Sequence, residues 1–202
     1  MLRRPAIPQK APAFLASFYK ANLTETDKTY YSHIPRWNTT CQVKQFFSDA
    51  LKEELKDYNC IDELQSQLPG DFNSWDYLYQ AQYLEIATLL SGNLLSSQGD
   101  RMMMAHSLEG RFPFLDYRVI EFCVNLPANI KLKGLTEKYI LKKIAKPFLP
   151  EAISQRKKQA YRAPDSASFF NGSKLDYLDE LLSEENLTKT GYFNPKAVSN
   201  LV

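Results

Sequence analysis

Residues 100–116 hold the side chains of this sequence whose types and spacing best suit chemistry. They read Asp-Arg-Met-Met-Met-Ala-His-Ser-Leu-Glu-Gly-Arg-Phe-Pro-Phe-Leu-Asp, which places five charged residues in a mainly apolar context. Charges in apolar surroundings are costly unless they are paired. The candidates Asp100, Arg101, Glu109 and Arg111 therefore either form structural ion pairs that fix a loop or line a site. General physical chemistry by itself favours the ion pairs.

Asp100 and Glu109 can serve one site only if the helix between them ends. At 100° per residue, they would point to opposite sides of an unbroken helix. Gly110 and Pro113 are helix-breaking residues, so we expect the helix to end near Ser107. With that ending, the two carboxylates are free to face the same site.

A basic run, Arg156-Lys157-Lys158, is the second candidate for chemistry. Such a run is usually a solvated basic tip on the protein surface. A lysine that is held near a phosphate can instead neutralise charge that develops on phosphate oxygens. The residues alone favour the solvated tip.

Other reactive side chains do not form a recognisable site. The sequence has no G-x-G-x-x-G, Walker, H-E-x-x-H or G-x-S-x-G motif. His33 and His106 are isolated, and an isolated histidine is more often structural than catalytic. The methionine run that begins at Met102 fits core packing. Three cysteines without a C-x-x-C pair favour neither a disulfide framework nor a zinc site, so we predict no metal ligands.

Composition excludes several classes of protein. The chain has 202 residues, 44% of them hydrophobic and 24% charged, which is typical of a folded globular protein. A formal charge of +2 is too small to indicate nucleic-acid binding. No apolar run is long enough for a membrane helix, and the N-terminus lacks the apolar region of a secretory signal. We expect a cytoplasmic protein with neither nucleic acid nor membrane as a partner.

Helical periodicity dominates the elements that must position these residues. Gly is scarce, with 7 residues, and the β-branched runs of buried parallel strands are missing, so we predict a mainly α, irregular helical bundle. Asn38, Thr39 or Thr40, Asp116, Thr136 and Asn194 are predicted helix caps, and Gly92 is a predicted helix stop. The predicted helices are 12–21, 39–51, 57–68, 75–90, 96–107, 117–125, 137–148, 175–182 and 196 onward.

Several motifs resemble those of the glutamine-hydrolysing asparagine synthetases, and they occur in the same order as in that family. The resemblance is specific over residues 75–165 and weaker at Ser32-His33-Ile34-Pro35-Arg36-Trp37 and Phe46-Phe47-Ser48. The matching motifs are Asp100-Arg101-Met102, Ala105-His106-Ser107-Leu108-Glu109, Arg111, Pro113-Phe114-Leu115-Asp116, Leu126-Pro127, Ile130-Lys131-Leu132-Lys133-Gly134, Thr136-Glu137-Lys138-Tyr139-Ile140-Leu141, Leu149-Pro150 and Arg156-Lys157-Lys158-Gln159-Ala160-Tyr161.

This resemblance implies part of a larger enzyme with a glutaminase domain and an ATP-dependent synthetase domain. The S-G-G-x-D-S and S-G-E-G-x-D loops of the family are absent, and position 2 is Leu2 rather than a cysteine nucleophile. We therefore expect the C-terminal helical portion of a PP-loop synthetase domain, without its parallel sheet. Its expected parts are an arm over 1–38, a helical core over 39–165 and a helical tail over 166–202.

The family's chemistry assigns expected roles to the candidate residues. ATP adenylates the side-chain carboxylate of aspartate, and ammonia from the glutaminase then attacks the adenylate. Lys158 is expected to act on the phosphates, and Glu109 is expected to act as a base or to orient the substrate. Asp100, Arg101 and Arg111 are expected to hold Glu109 or the substrate end of the site.

The cofactors and partners implied are those of the whole enzyme. ATP and Mg²⁺ belong to the full-length protein, with none expected on this chain alone, which we predict to be inactive. Expected partners are the nucleotide-binding and glutaminase parts, aspartate, ammonia and a second copy of the protein. Two alternatives stay open at this point, namely a non-catalytic helical interaction module and a related amide ligase that closes β-lactams or cyclises peptides.

Overall fold

A computed structural model describes residues 24–158, 169–170 and 175–201, and helices account for most of them. The predicted helix 12–21 lies outside these residues. The α-helices are Ile34–Cys41, Asp49–Glu54, Cys60–Gln67, Tyr77–Glu85, Arg101–Ala105, Tyr117–Val124, Ala128–Lys131, Tyr139–Ala145, Glu151–Ser154, Asp176–Leu181, Glu184–Thr190 and Pro195–Ser199. Short 3-10 helices cover Gln42–Phe46, Phe72–Ser74 and Pro113–Leu115, and a π-helix covers Ile86–Asp100.

Strand structure in the described part of the chain is limited to one small hairpin. Its strands, β1 (Leu132–Lys133) and β2 (Thr136–Glu137), are antiparallel, with Leu132 opposite Glu137. The predicted mainly α fold is therefore confirmed. No helix among the described residues is both long and apolar enough to cross a bilayer.

Two compact units divide the described residues. One contains residue 24 with 34–69, 169–170 and 175–201, and the other contains 25–33 with 70–158. Residues 100–116 and 156–158 both belong to the second unit, so all the candidate site residues share one unit.

The predicted helix 39–51 is wrong, because the chain leaves the helical conformation at Phe47. That residue has an extended backbone and forms an isolated antiparallel bridge with Phe193. The two aromatic rings also pack edge to face, with centroids 6.0 Å apart. A partner almost 150 residues away in the sequence therefore overrides the local helical periodicity here.

Gly92 does not stop the helix that precedes it. Helical structure runs without interruption from Tyr77 to Ala105, with wide π-type turns over Ile86–Asp100. The Arg101 N–H donates to the Ser96 carbonyl, a bond that spans five residues. A glycine inside a helix lowers helix stability by only about 1 kcal/mol relative to alanine, so the neighbouring turns can keep Gly92 helical.

The helix that begins at Arg101 ends close to Ser107, as the sequence predicts. Its last residue is Ala105, and Ser107 is left-handed with a φ of 55°. The Ser107 N–H donates to the Met104 carbonyl at 3.1 Å, and the Leu108 N–H donates to the Met103 carbonyl at 2.8 Å. These two bonds form a Schellman motif, which satisfies carbonyls at the helix end.

Thr136 does not cap a helix, in contrast to the prediction. It pairs with Lys133 in the hairpin, and the following helix begins only at Tyr139. Gly134 has a φ of 57°, a conformation that glycine adopts without a steric penalty, and Lys138 is also left-handed. The hairpin therefore reverses the chain just before the helix and places Glu137 at its end.

Asn38, Thr39 and Thr40 do not cap a helix as predicted, because the helix Ile34–Cys41 already includes them and the Thr39 and Thr40 hydroxyls donate to carbonyls of that helix.

Two other predicted caps are confirmed. Asp116 accepts a hydrogen bond from the Arg118 N–H and starts the helix Tyr117–Val124. Asn194 accepts from the Ala197 N–H at 3.1 Å, with a proline at the first position of the helix Pro195–Ser199. Short polar side chains at these positions satisfy backbone N–H groups that have no partner within the helix.

The most deeply buried apolar residues of the second unit are Phe72 and Leu84. The Phe72 ring lies 5.3 Å from the Trp75 ring and 5.6 Å from the Tyr83 ring, centroid to centroid. The isolated His33 is also buried, and its Nε2 lies 3.0 Å from Oε2 of Glu85. This bond gives His33 a structural role.

Several apolar side chains within the helix Arg101–Ala105 and in the segment after it are largely exposed. Four of them, Met102, Met104, Leu108 and Phe114, are each more than half accessible to solvent. Large exposed apolar patches are uncommon on monomeric proteins and usually mark a surface that another protein covers. We call these four exposed side chains together the apolar surface.

The isolated chain should self-associate through the apolar surface. Light scattering should show an average mass that rises with concentration, because association removes these side chains from water. The double variant Met104→Glu with Phe114→Ser should lower that mass toward the monomer. The control Tyr58→Ser changes an exposed aromatic residue outside the apolar surface and should leave the mass unchanged. A strictly monomeric chain at high concentration would contradict this expectation.

Candidate active site

A groove of about 380 Å³ lies beside the basic run that the sequence singled out. The hairpin end, the helix Tyr139–Ala145 and the short helix Glu151–Ser154 contribute to its walls. The lining residues are Glu137, Lys138, Leu141, Lys142, Ala145, Leu149, Ile153, Ser154, Arg156, Lys157 and Lys158. We call this cavity the basic groove, because five of its lining residues are basic and one is acidic.

Glu137 holds the two sides of the basic groove together. Its Oε1 accepts a hydrogen bond from the Lys158 backbone N–H at 2.9 Å and another from the Lys142 ammonium at 3.2 Å. Hydrogen bonds to an ionised carboxylate are about twice as strong as those between neutral groups. Glu137 therefore connects two segments that are 21 residues apart in the sequence.

These contacts also keep the Glu137 carboxylate ionised. The backbone N–H of Lys158, the backbone N–H of Glu137 itself and the Lys142 ammonium together lower the pKa of Glu137 to about 2. Each of these donors stabilises the charged form more than the protonated form. At neutral pH the groove thus contains one fixed negative charge.

Lysine side chains in the groove differ in their surroundings. The Lys142 side chain is only 18% exposed and forms the ion pair with Glu137. Arg156, Lys157 and Lys158 are exposed, and Lys158 has no ion-pair partner among the residues that the structure describes. The Lys158 backbone is therefore fixed while its charge stays available to an anion.

The acidic candidate Glu109 forms a separate contact. Its Oε1 lies 2.8 Å from the Arg111 guanidinium, and the two side chains are 77% and 81% exposed. A solvent-exposed ion pair of this kind contributes about 0–1 kcal/mol to stability. No hydrogen bond or ion pair in the described residues joins Glu109 to Lys158.

Asp100 and Arg101 lie at the junction between the π-helix and the helix that follows it. Both are exposed, and neither forms an ion pair within the described ranges. Of the ion pairs that the sequence suggested for this stretch, the structure therefore forms the one between Glu109 and Arg111. Asp116 instead binds Arg118 through both carboxylate oxygens, and this guanidinium lowers the pKa of Asp116.

Gly110 closes the turn that presents Glu109. A Cβ atom at this position would lie 2.7 Å from Cε of Met103 and 2.9 Å from a ring carbon of Phe112. Contacts that short require a neighbouring side chain to move, so the loop packs closely on the end of the helix at Gly110. From the sequence alone, Gly110 is expected only to end the helix.

Glu137 is the site residue that sequence reasoning missed as a functional candidate. The sequence predicts Glu137 within a helix, whereas it lies in the second strand of the hairpin, and this wrong prediction concealed its contact with Lys158. The pair Gly134-Leu135 between two short polar-apolar segments is a two-residue hairpin signal that could have revealed it. The contact with Lys158 itself has no signal in the sequence.

The described residues fit phosphate groups better than a divalent metal. Five basic side chains line the groove, whereas no group of three or more metal-ligating side chains occurs in the described part of the chain. Mg²⁺ prefers several oxygen ligands, and the one carboxylate of the groove already binds Lys142 and Lys158. The described residues of the groove therefore suit an anion, and they would act on it through their own charges.

Known proteins with similar sequences carry two kinds of name. An amidase from Gibberella zeae, chry2, is 30% identical over 133 residues, which are 62% of this chain and 20% of that protein. An asparagine synthetase (glutamine-hydrolysing) from Bacillus subtilis is 34% identical over 125 residues, which are 60% of this chain and 20% of that protein. An asparagine synthetase from Saccharomyces cerevisiae is 35% identical over 100 residues, 44% of this chain and 17% of that protein.

The chain spans about a fifth of the length of the curated relatives that it matches. No solved structure matches it significantly. The family model described as asparagine synthase matches residues 5–202, which is nearly the whole chain. This protein therefore belongs to the asparagine synthase family, a family of ATP-using ligases.

Proposed function

We propose that this chain supplies the phosphate-facing side of an enzyme that activates a carboxylic acid with ATP and then forms an amide. The observation that carries the proposal is the basic groove, where Lys158 is held by its backbone and its ammonium pairs with no carboxylate among the residues that the structure describes. A fixed cation beside phosphate oxygens stabilises the charge that develops when pyrophosphate leaves. ATP supplies the activated phosphate, and residues of this chain orient the phosphate groups and neutralise their negative charge.

The other basic residues have supporting roles in this proposal. Arg156 and Lys157 add positive charge to the lining of the groove, which attracts a polyphosphate. Lys142 contributes less, because Glu137 already neutralises it at 3.2 Å. Lys158 therefore makes the largest contribution.

Aspartate is the acid that we propose for this enzyme, with asparagine as the product. Relatives named asparagine synthetases support this choice, and two relatives named amidases make other acids the natural comparison. Glu109 is proposed to act as a base or to orient the acid. Asp100, Arg101 and Arg111 are proposed to hold Glu109 or the substrate in place.

The enzyme as a whole needs partners beyond this chain. We propose a nucleotide-binding part that cradles ATP and Mg²⁺ through backbone N–H groups, and a glutaminase part that supplies ammonia. The apolar surface offers a place for the nucleotide-binding part to dock, because its four side chains are exposed in this chain. We further propose that these parts meet in the cytoplasm.

Isotope exchange between pyrophosphate and ATP tests the proposal. The chain joined to its nucleotide-binding part should catalyse exchange that depends on added aspartate, and the chain alone should not. Glutamate, β-alanine and acetate serve as comparison acids, because each shares only part of the aspartate structure. Exchange that depends on another acid would replace aspartate as the substrate, and no exchange with any acid would favour a helical interaction module.

A further inference from the structure

Glu137 binds the backbone of Lys158 and not its side chain. The Glu137 carboxylate accepts a hydrogen bond from the Lys158 backbone N–H at 2.9 Å, whereas it forms its ion pair with Lys142. If Glu137 paired with the Lys158 ammonium instead, the carboxylate would neutralise that positive charge. The observed arrangement fixes the position of Lys158 and leaves its ammonium for a ligand.

We infer that Glu137 is a positioning residue, which sets the place of the Lys158 ammonium at the edge of the basic groove. The inference rests on the function proposed for Lys158 and deepens it. Glu137 itself touches no reacting atom in this account. It acts through Lys158, and its effect must therefore disappear when Lys158 is removed.

Hairpin geometry explains why Glu137 can fulfil this role. Glu137 pairs with Leu132 across the strands, so its backbone is held on one side. The left-handed Lys138 then turns the chain into the helix Tyr139–Ala145, which carries Lys142. The carboxylate thus stands between a fixed strand and a fixed helix, and the Lys158 backbone binds to a rigid acceptor.

Two substitutions of equal charge isolate the positioning role. Glu137→Gln removes the charge but keeps an oxygen that can accept the Lys158 N–H, whereas Glu137→Ala removes both. Charge alone predicts that both variants bind anions more tightly than the natural protein, because a negative charge leaves the groove. Positioning predicts that the alanine variant binds more weakly than the glutamine variant.

Amide hydrogen exchange of the 202-residue chain measures the anchor directly. Exchange at the Lys158 N–H should accelerate by roughly 10- to 100-fold in Glu137→Ala, the range for the loss of one hydrogen bond to a charged group. Glu137→Gln should lie between that variant and the natural chain. Lys142→Met is the matched control, because it removes the ion pair and leaves the bond to Lys158 in place.

The same chain should retain this protection in mild acid. The pKa of Glu137 is about 2, so its carboxylate stays ionised at pH 4, where an ordinary glutamate is more than half protonated. Protection relative to the intrinsic exchange rate should therefore be equal at pH 7 and pH 4. Loss of protection of Lys158 between pH 5 and pH 4, with helical structure intact, would contradict the anchor.

Binding of inorganic pyrophosphate, measured by calorimetry, completes the test. We expect Glu137→Ala to bind about fivefold or more weakly than Glu137→Gln, and this difference should vanish when Lys158→Met is added to both, as coupled residues require. Equal binding by the two variants, or a difference that persists without Lys158, would overturn the positioning role. Circular dichroism confirms that each variant retains the helical fold.

These readouts also separate this inference from the proposed function. If Lys158→Met left pyrophosphate affinity unchanged, the phosphate role of Lys158 would fail, and with it the functional consequence of the anchor. If Lys158→Met weakened binding but the two Glu137 variants were equal, the function would stand and the positioning role would be wrong.

Discussion

Replacing Lys158 by methionine should lower aspartate-dependent adenylation by about 10²- to 10³-fold in the complete synthetase proposed above. The variant deletes a cation that we place against phosphate oxygens, and methionine keeps most of the apolar stem. The Lys158 side chain is exposed and forms no ion pair in the described residues, so the fold should be unaffected. Pyrophosphate release under saturating ATP and aspartate is the measurement.

Lys157→Met is the matched control for this experiment. Lys157 neighbours Lys158 and lines the same groove, but the family resemblance assigns the phosphate role to Lys158. We expect Lys157→Met to retain most of the activity, and glutaminase activity to persist in both variants. If Lys157→Met abolished adenylation and Lys158→Met did not, the assignment of the two residues would be reversed. If neither did, the basic run would be a solvated tip.

Replacing Phe72 by alanine should lower the free energy of unfolding by about 3–5 kcal/mol. The side chain is 1% exposed and packs against Trp75 and Tyr83, so its removal leaves a cavity between two aromatic rings. Since domains of this size have total stabilities of about 5–15 kcal/mol, the variant should be close to unfolding. Urea unfolding followed by circular dichroism measures this loss.

Phe148→Ala provides the comparison for the core variant. Phe148 is 84% exposed, and truncation of an exposed side chain usually changes stability by about 0.5 kcal/mol or less. The same chemical change at two positions therefore tests burial alone. Equal losses at Phe72 and Phe148 would show that the aromatic cluster around Phe72 does not form the core of its unit.

Local sequence signals predicted those features of the fold that depend on neighbouring residues. The helix that follows Asp116, the cap at Asn194 and the helix end near Ser107 each depend on contacts within a few residues. Caps and helix ends use side chains and backbone groups within about five positions of each other, so one segment contains the information. These predictions are confirmed.

Two predictions failed, the first because of a contact between distant residues and the second because of a short local hairpin. Phe47 leaves the helix for a bridge with Phe193, and Thr136 pairs with Lys133 rather than capping a helix. At Gly92 the opposite occurs, because a residue that locally favours a break stays within a continuous helix. Propensity differences of up to about 1 kcal/mol per residue are smaller than the free energy of tertiary packing.

The sequence by itself determined the helical class of this protein, its family and the identity of the charged candidates. Residue type and spacing along one segment are sufficient for those conclusions. Only the tertiary structure decided that Glu137 binds the Lys158 backbone, that Glu109 pairs with Arg111, and that the charge of Lys158 stays unpaired among the described residues. Contacts between segments 21 residues apart depend on how a hairpin and a helix turn the chain. Local residue patterns do not predict that geometry.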